Sequence, residues 1–188
     1  NDHFDDFEPN FIENSTKIIF SSNRPTDPLY RKKGELKSSN QNRDLFIYDL
    51  NKKYQPRLKR VTQTKFINET QPVEIGHFKY TYLAESNGGI NRFQAIFDST
   101  ISSVDTVITY RYYSKSATLT DFKRNILEMD YSPLSKKMSY LVLEDGQYKM
   151  FLGDEKSDNI LAEEVEGNSN FSQTEQEKIE KYSKKSTV

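Results

Sequence analysis

One phrase recurs three times along the chain, and this repetition limits the possible folds more than any other feature. The phrase is an acidic or amide residue, a short polar turn and a Lys, followed at once by an apolar run. It reads EPNFIENSTK at 8–17, QPVEIGHFK at 71–79 and EMDYSPLSKK at 128–137. The copies recur every roughly 60 residues, a spacing typical of repeat architectures.

The later part of each copy repeats as well. RDLFIYD at 43–49 aligns with RFQAIFD at 92–98, Arg on Arg and Asp on Asp, whereas QYKMFLG at 147–153 keeps only the apolar pattern. Further strand-like runs follow at 56–64 and 106–119. Each copy is therefore predicted to run as strand, turn, strand, loop, strand.

Turn residues support β-hairpins between these strands. The stretches SNGG at 86–89 and EDGQ at 144–147 contain Asn-Gly and Asp-Gly pairs, which tolerate the positive φ of tight β-turns. In the first copy the same position holds a long polar stretch, 25–42, which is interpreted as an inserted surface loop.

A unit of three or four short strands that repeats in this way is typical of a β-propeller blade. The predicted fold is all-β, with about three propeller blades in an incomplete ring and a short polar C-terminal tail that is either a short helix or a linker. Propellers contain about 4–8 blades, so three cannot close a ring. The predicted propeller segment is 1–165, with blades at about 5–65, 66–125 and 126–165, followed by a polar tail or linker at 166–188.

The first copy resembles one blade of the TolB-like propeller family. A blade of that family runs as an acidic residue, Pro-x-aromatic, a turn around Pro-Asp-Gly, Lys, an apolar strand, Ser-Asn-Arg and Asp-Leu-Tyr-x-x-Asp, and closes on Leu-Thr. The chain departs at the turn, where IENST replaces Pro-Asp-Gly and must adopt another geometry. The matching residues are Glu8, Pro9, Phe11, Lys17, Ser22, Asn23, Arg24, Asp44, Leu45, Tyr48 and Asp49.

The resemblance implies a periplasmic or cell-envelope protein, similar in style to large envelope proteins of Bacteroidota that take part in transport or secretion. It implies a non-enzymatic scaffold that binds other envelope proteins, with the remaining blades supplied by a longer parent chain. The alternative is a propeller that accompanies a peptidase or hydrolase domain outside this segment. A flanking hydrolase or metal-binding module would favour the alternative, and a flanking OmpA-like or helical-repeat module would favour the scaffold.

Composition argues against several other classes of protein. The net charge of -1 argues against a nucleic-acid partner, because such proteins are normally basic or carry a basic stripe. The lack of Cys excludes disulfides, thiolate zinc sites and a Cys nucleophile. No apolar run approaches the roughly 18–20 residues that a membrane helix needs, so direct membrane insertion is not expected. The chain begins without Met, so we expect a processed or excised segment.

The sequence contains no recognised catalytic motif, and no catalytic residue, metal ion or cofactor is predicted. Of the two histidines, His3 and His77, the second is expected to be a solvent-facing turn residue. The acidic cluster at the N-terminus lacks the spacing of a calcium loop and is expected to be solvated. Its members are Asp2, Asp5, Asp6 and Glu8.

Two stretches are candidates for a protein-binding surface. In ITYRYYSK at 108–115 aromatic and basic residues alternate, an arrangement that can bind by stacking, although packing between blades would also explain it. On a strand, Tyr110 and Tyr112 would lie on one face and Arg111 and Tyr113 on the other. The second candidate is the basic loop formed by Tyr30, Arg31, Lys32 and Lys33, for which the alternative interpretation is a mobile loop with no binding role.

Overall fold

The computed structural model describes residues 4–25, 42–51, 58–64, 67–86, 88–104 and 108–155. These residues all belong to one compact unit, Asn1–Glu155. The tail predicted at 166–188 lies outside the described residues, and so does most of the insertion predicted at 25–42.

The described residues form three antiparallel sheets and contain no helix, so the prediction of an all-β fold is confirmed. The sheets follow one another in chain order, and within each of them successive strands are neighbours, which is consistent with incomplete propeller blades. The first sheet contains β1 (Asp6–Ile12), β2 (Lys17–Ser22), β3 (Asp44–Asp49) and β4 (Leu58–Arg60). The second contains β5 (Glu69–Gly76), β6 (Lys79–Ser86), β7 (Gly89–Val104) and β8 (Ile108–Thr118). The third contains β9 (Ile126–Ser132), β10 (Lys137–Glu144) and β11 (Gln147–Asp154).

The repeated phrase has the same place in every sheet. It starts within the first strand, crosses the turn, and ends on the Lys that opens the second strand, at Lys17, Lys79 and Lys137. Each first strand also contains a β-bulge near the start of the phrase, between Phe7 and Asn10, between Thr70 and Val73, and opposite Leu141 and Val142. The repeat in the sequence is therefore a repeat of local structure that includes an irregularity.

The Asp-Gly turn confirms the hairpin predicted there, whereas Asn87 of the predicted Asn-Gly pair lies outside the described residues. Asp145 and Gly146 both have positive φ, 53° and 75°, and they join β10 to β11 as a two-residue turn. The IENST turn of the first sheet does use another geometry, because Glu13, Asn14 and Ser15 all have positive φ. The Thr16 hydroxyl closes this turn by donating to the Glu13 carbonyl oxygen at 2.7 Å.

The predicted alignment of the third strands is wrong by two residues. Lys17 and Lys79 are equivalent, and their partners on the third strands are Asp49 and Ile96, not Asp49 and Asp98. Asp44 therefore corresponds to Asn91. The pairing of Ser86 with Gly89 sets the register of β7 on β6. The backbone hydrogen bonds between the two strands keep that register along β7, and the similarity of its residues to those of β3 does not change it.

The second sheet packs between the other two through one continuous core. The first sheet contributes Ile19 and Ile47 from one face, and the third contributes Met138 and Val142. The aromatic side chains Tyr80, Tyr82 and Phe93 of the second sheet belong to the same cluster, and Tyr80 lines a small cavity together with Ile47 of the first sheet. We call the face of a sheet that points toward the preceding sheet, or would do so in the first sheet, its entry face. The opposite face, which points toward the following sheet in the first two sheets, is its exit face.

A separate apolar cluster lies on the entry face of the first sheet. It contains Phe20, Phe46 and Leu58, and the rings of Phe20 and Phe46 stack with centroids 6.1 Å apart. Phe46 is fully buried. The strand register explains this pairing, because Phe20 lies directly opposite Phe46.

Phe46→Ala is expected to lower the free energy of unfolding by about 3–5 kcal/mol, because it removes a fully buried ring and leaves a cavity. Urea denaturation checks this, with Phe11→Ala as the matched control. Phe11 is 67% exposed in β1, so its replacement is expected to cost less than about 0.5 kcal/mol. Equal losses for the two variants would contradict the assignment of Phe46 to the core.

Candidate interaction surface

The first strands of neighbouring sheets are joined by side-chain hydrogen bonds at their bulges. Glu8 and Gln71 both sit in a bulge with positive φ, 53° and 51°. The backbone N–H of Gln71 donates to Glu8 Oε2 at 2.7 Å. In the same way the backbone N–H of Met129 donates to Gln71 Oε1 at 2.9 Å, and Gln71 Nε2 donates to the Leu127 carbonyl oxygen at 2.8 Å. Each bulge side chain therefore binds the first strand of the next sheet.

A second bond repeats at both junctions between sheets. The backbone N–H of Arg43 donates to Asn68 Oδ1 at 3.1 Å, and that of Ile90 donates to Asn125 Oδ1 at 2.9 Å. Each Asn immediately precedes the first strand of its sheet. Sequence reasoning missed this bond, although the shared Asn before β5 and β9 was a signal that could have revealed it.

A buried carboxyl group lies at the junction of the first and second sheets. Glu69 opens β5 and is fully buried. Its Oε2 accepts a hydrogen bond from the Leu45 N–H at 3.2 Å and another from the Thr62 hydroxyl. Burial raises the pKa of Glu69 to about 8; the bond from Thr62 opposes this rise and the nearby charge of Asp44 adds to it. The carboxyl group of the folded protein is therefore largely protonated at neutral pH.

Asp44 lies beside this carboxyl group. Burial raises its pKa, while the hydrogen bond from the Thr64 N–H, at 2.9 Å, and the charge of Arg60 oppose the rise. Arg60 forms an ion pair with Asp44. The junction of the first and second sheets thus holds two carboxyl groups in a buried, hydrogen-bonded cluster, with the Arg60 guanidinium group beside Asp44.

A two-stranded ribbon projects from the second sheet. Strand β6 pairs with β7 only as far as Ile96, whereas β7 and β8 continue to pair up to Val104 and Ile108. Along the ribbon Tyr110 pairs with Ile101 and Tyr112 with Ser99, so the predicted alternation of faces agrees with the register. Exposed apolar side chains are numerous on it, with Ile101 58%, Val104 72% and Tyr110 52% exposed.

The four predicted residues of β8 have different surroundings. Tyr112 stacks on Phe97 with ring centroids 5.6 Å apart, and Lys59 Nζ of the first sheet lies 3.7 Å from the Tyr112 ring centroid. On the other face the Tyr113 hydroxyl donates to Asp98 Oδ2 at 3.3 Å. Tyr110 and Arg111 are exposed. Tyr112 thus contributes to packing between sheets, and Tyr110 and Arg111 are presented to solvent.

A cleft of about 770 Å³ opens at the base of the ribbon. It separates the end of the first sheet from β8, and its walls include Arg60, Thr64, Tyr112 and Tyr113. The ribbon, Lys59 and this cleft form one continuous candidate surface. The second predicted surface, formed by Tyr30, Arg31, Lys32 and Lys33, lies outside the described residues.

The other candidates have ordinary structural surroundings. His77 is exposed in the β5–β6 turn, as predicted, and its ring lies against that of Phe78. Asp6 forms an ion pair with Arg24. Within the described ranges, no group of three or more His, Asp or Glu side chains is arranged to hold a metal ion. Nor does any helix among these residues have the length and apolar character to span a membrane.

The chain matches no protein-family model and no curated protein sequence.

Gln71→Ala is expected to lower the free energy of unfolding by about 1–3 kcal/mol, because the Met129 N–H and the Leu127 carbonyl oxygen each lose their Gln71 partner. Thermal or urea denaturation measures this, with Gln147→Ala as a control, since Gln147 is exposed at the start of β11. A Gln71→Ala loss no larger than that of the control would contradict a role in joining the sheets.

Glu69 is expected to make stability depend on pH. Its pKa is about 8 in the folded state against a reference value of 4.5, so below pH 4.5 both states are protonated and its contribution is complete. As pH rises from 4.5 to 8 the unfolded state loses the proton first, so the free energy of unfolding falls, by at most about 1.4 kcal/mol per pH unit. Glu69→Gln should remove this component. Urea denaturation at a series of pH values measures it, and parallel profiles for the two proteins would contradict it.

Proposed function

We propose that this chain is a TolB-like propeller segment that acts as a non-enzymatic protein-interaction scaffold in the bacterial cell envelope. The observation that carries the proposal is the ribbon of β7 and β8, which projects exposed aromatic and aliphatic side chains from a stack of sheets joined by repeated hydrogen bonds. The periplasm is the proposed location, and other envelope proteins are the proposed partners.

The joined sheets support this role because they provide a preorganised base. Bonds at the bulges and at Asn68 and Asn125 hold neighbouring sheets together. The aromatic stack of Tyr112 on Phe97, which belongs to the core, anchors the base of the ribbon. A partner that binds such a surface loses less free energy to ordering than one that binds a mobile loop.

The chemistry of the ribbon supports a protein partner. Tyr and Arg are enriched in protein interfaces because they combine large contact areas with hydrogen-bonding groups. Tyr110 and Arg111 are exposed on opposite faces, and Ile101 and Val104 add exposed apolar area at the same end. Exposed apolar groups concentrated at one place indicate an interaction site more strongly than scattered ones do.

Site-specific photo-crosslinking tests the proposal. A photo-reactive amino acid replaces Tyr110 in the full chain, which is then irradiated in an extract of the cells that produce it. A discrete crosslinked protein is expected, and mass spectrometry identifies it. The matched control carries the same amino acid at Leu134, which is fully exposed in the β9–β10 turn.

A second variant tests whether the side chains themselves bind. The double substitution Ile101→Ser with Tyr110→Ser is expected to weaken binding of the identified partner by roughly tenfold or more, because both side chains would be buried in the complex. Crosslinking at Leu134 equal to that at Tyr110, or unchanged binding by the double variant, would contradict the ribbon as the binding surface.

A further inference from the structure

The exit face of the third sheet is apolar and exposed. The register of β10 with β11 pairs Leu141 with Met150 and Leu143 with Tyr148, which places these four side chains on one face. Tyr148 is 72% and Met150 77% exposed. The opposite face of the same strands carries Met138 and Val142, which are buried in the core. The third sheet is therefore packed on one side only among the described residues.

The first two sheets indicate what covers such a face. Their exit faces are each covered by the entry face of another sheet with the same repeat. At each junction a side chain from the bulged first strand, Glu8 or Gln71, accepts a hydrogen bond from a backbone N–H of the incoming first strand. Each exit face is therefore covered by a sheet with the same repeat, and a hydrogen bond between the first strands aligns the two sheets.

Glu128 opens the third copy of the same phrase, as Glu8 and Gln71 open the first and second. It is a paired residue without their positive φ, because the unpaired residue of the third bulge is its neighbour Leu127. Glu128 pairs with Leu141, so its side chain lies on the exit face. It is exposed, and its carboxylate accepts no hydrogen bond from any residue that the structure describes. The third sheet therefore presents the acceptor that the other two sheets use, next to an apolar face.

The first sheet presents the complementary features. Glu8 is exposed, and its positive φ matches that of Gln71, whose N–H donates at the first junction. Phe11 pairs with Ile18 and so lies on the entry face, where it is 67% exposed. The equivalent residue of the second sheet, Glu74, contacts the preceding sheet by accepting the Glu13 N–H at 2.9 Å.

We propose that the exit face of the third sheet binds the first sheet of a second copy of this chain, with Glu128 accepting a hydrogen bond from the Glu8 N–H of that copy. The contact is head-to-tail, because each copy contributes a different face. Two copies joined in this way stack six sheets, a number within the range of known propellers. The inference rests on propeller-type stacking and does not use the ribbon.

Sedimentation equilibrium of the full chain tests this, first with the wild-type protein and then with single variants. The wild-type chain is expected to associate reversibly. Met150→Asp and Phe11→Asp should each weaken association by at least about tenfold, because each places a charge in the apolar contact. An equimolar mixture of the two variants should regain association, because one intact face of each type is then present.

The hydrogen bond has its own matched pair of variants. Glu128→Gln should retain most of the association, since Gln71 performs the same role with an amide oxygen. Glu128→Leu should weaken it by roughly tenfold. Leu134→Asp is the control on a fully exposed turn and should have no effect.

The substituted side chains are exposed in the single chain, so circular dichroism and the urea midpoint should not change when they are measured at a concentration at which the wild-type chain is monomeric. A chain that stays monomeric at all concentrations would overturn the proposal. So would association that Phe11→Asp leaves intact, since this would indicate two third sheets facing each other. Crosslinking through Tyr110 is independent of these variants, so the ribbon and the docking face can fail separately.

Discussion

The hydrogen bonds between bulged first strands are the interaction on which the stack depends. Apolar faces attract one another without direction, so they bring sheets together but do not align them. Gln71 aligns the third sheet with the second because its amide accepts from the Met129 N–H and donates to the Leu127 carbonyl oxygen. Glu8, which can only accept, binds the Gln71 N–H. The bulge that interrupts each ladder is thus the feature that links the sheets.

The two junctions differ in their polarity at one equivalent position. Glu69 pairs with Ala84, and Ile126 pairs with Val142, so both open the first strand of their sheet in the same register. Both are fully buried. Loss of the proton from the buried Glu69 carboxyl group lowers the stability of the folded protein, whereas Ile126 has no ionisable group. The junction of the first and second sheets therefore carries a dependence on pH that Ile126 does not give the other junction.

The two exposed apolar surfaces have different origins. The ribbon exists because β7 and β8 extend beyond the end of β6, and its base is held by Tyr112 on Phe97. The face around Met150 exists because the third sheet is packed on one side only among the described residues. The ribbon suits the different protein proposed as its partner, and the face around Met150 suits another sheet of the same repeat.

Much of the local structure followed from the sequence alone. The three copies of one phrase, the alternation of side chains along β8 and the Asp-Gly turn at Asp145 depend on neighbours in the chain, so they could be predicted. The alignment of the third strands was wrong because the ladder and its turn set the register, and matching letters do not. Only the tertiary structure decided the roles of Gln71, Asn68 and Glu69. Their partners lie elsewhere in the chain, and the choice between an exposed polar residue and a buried link is made when the sheets pack.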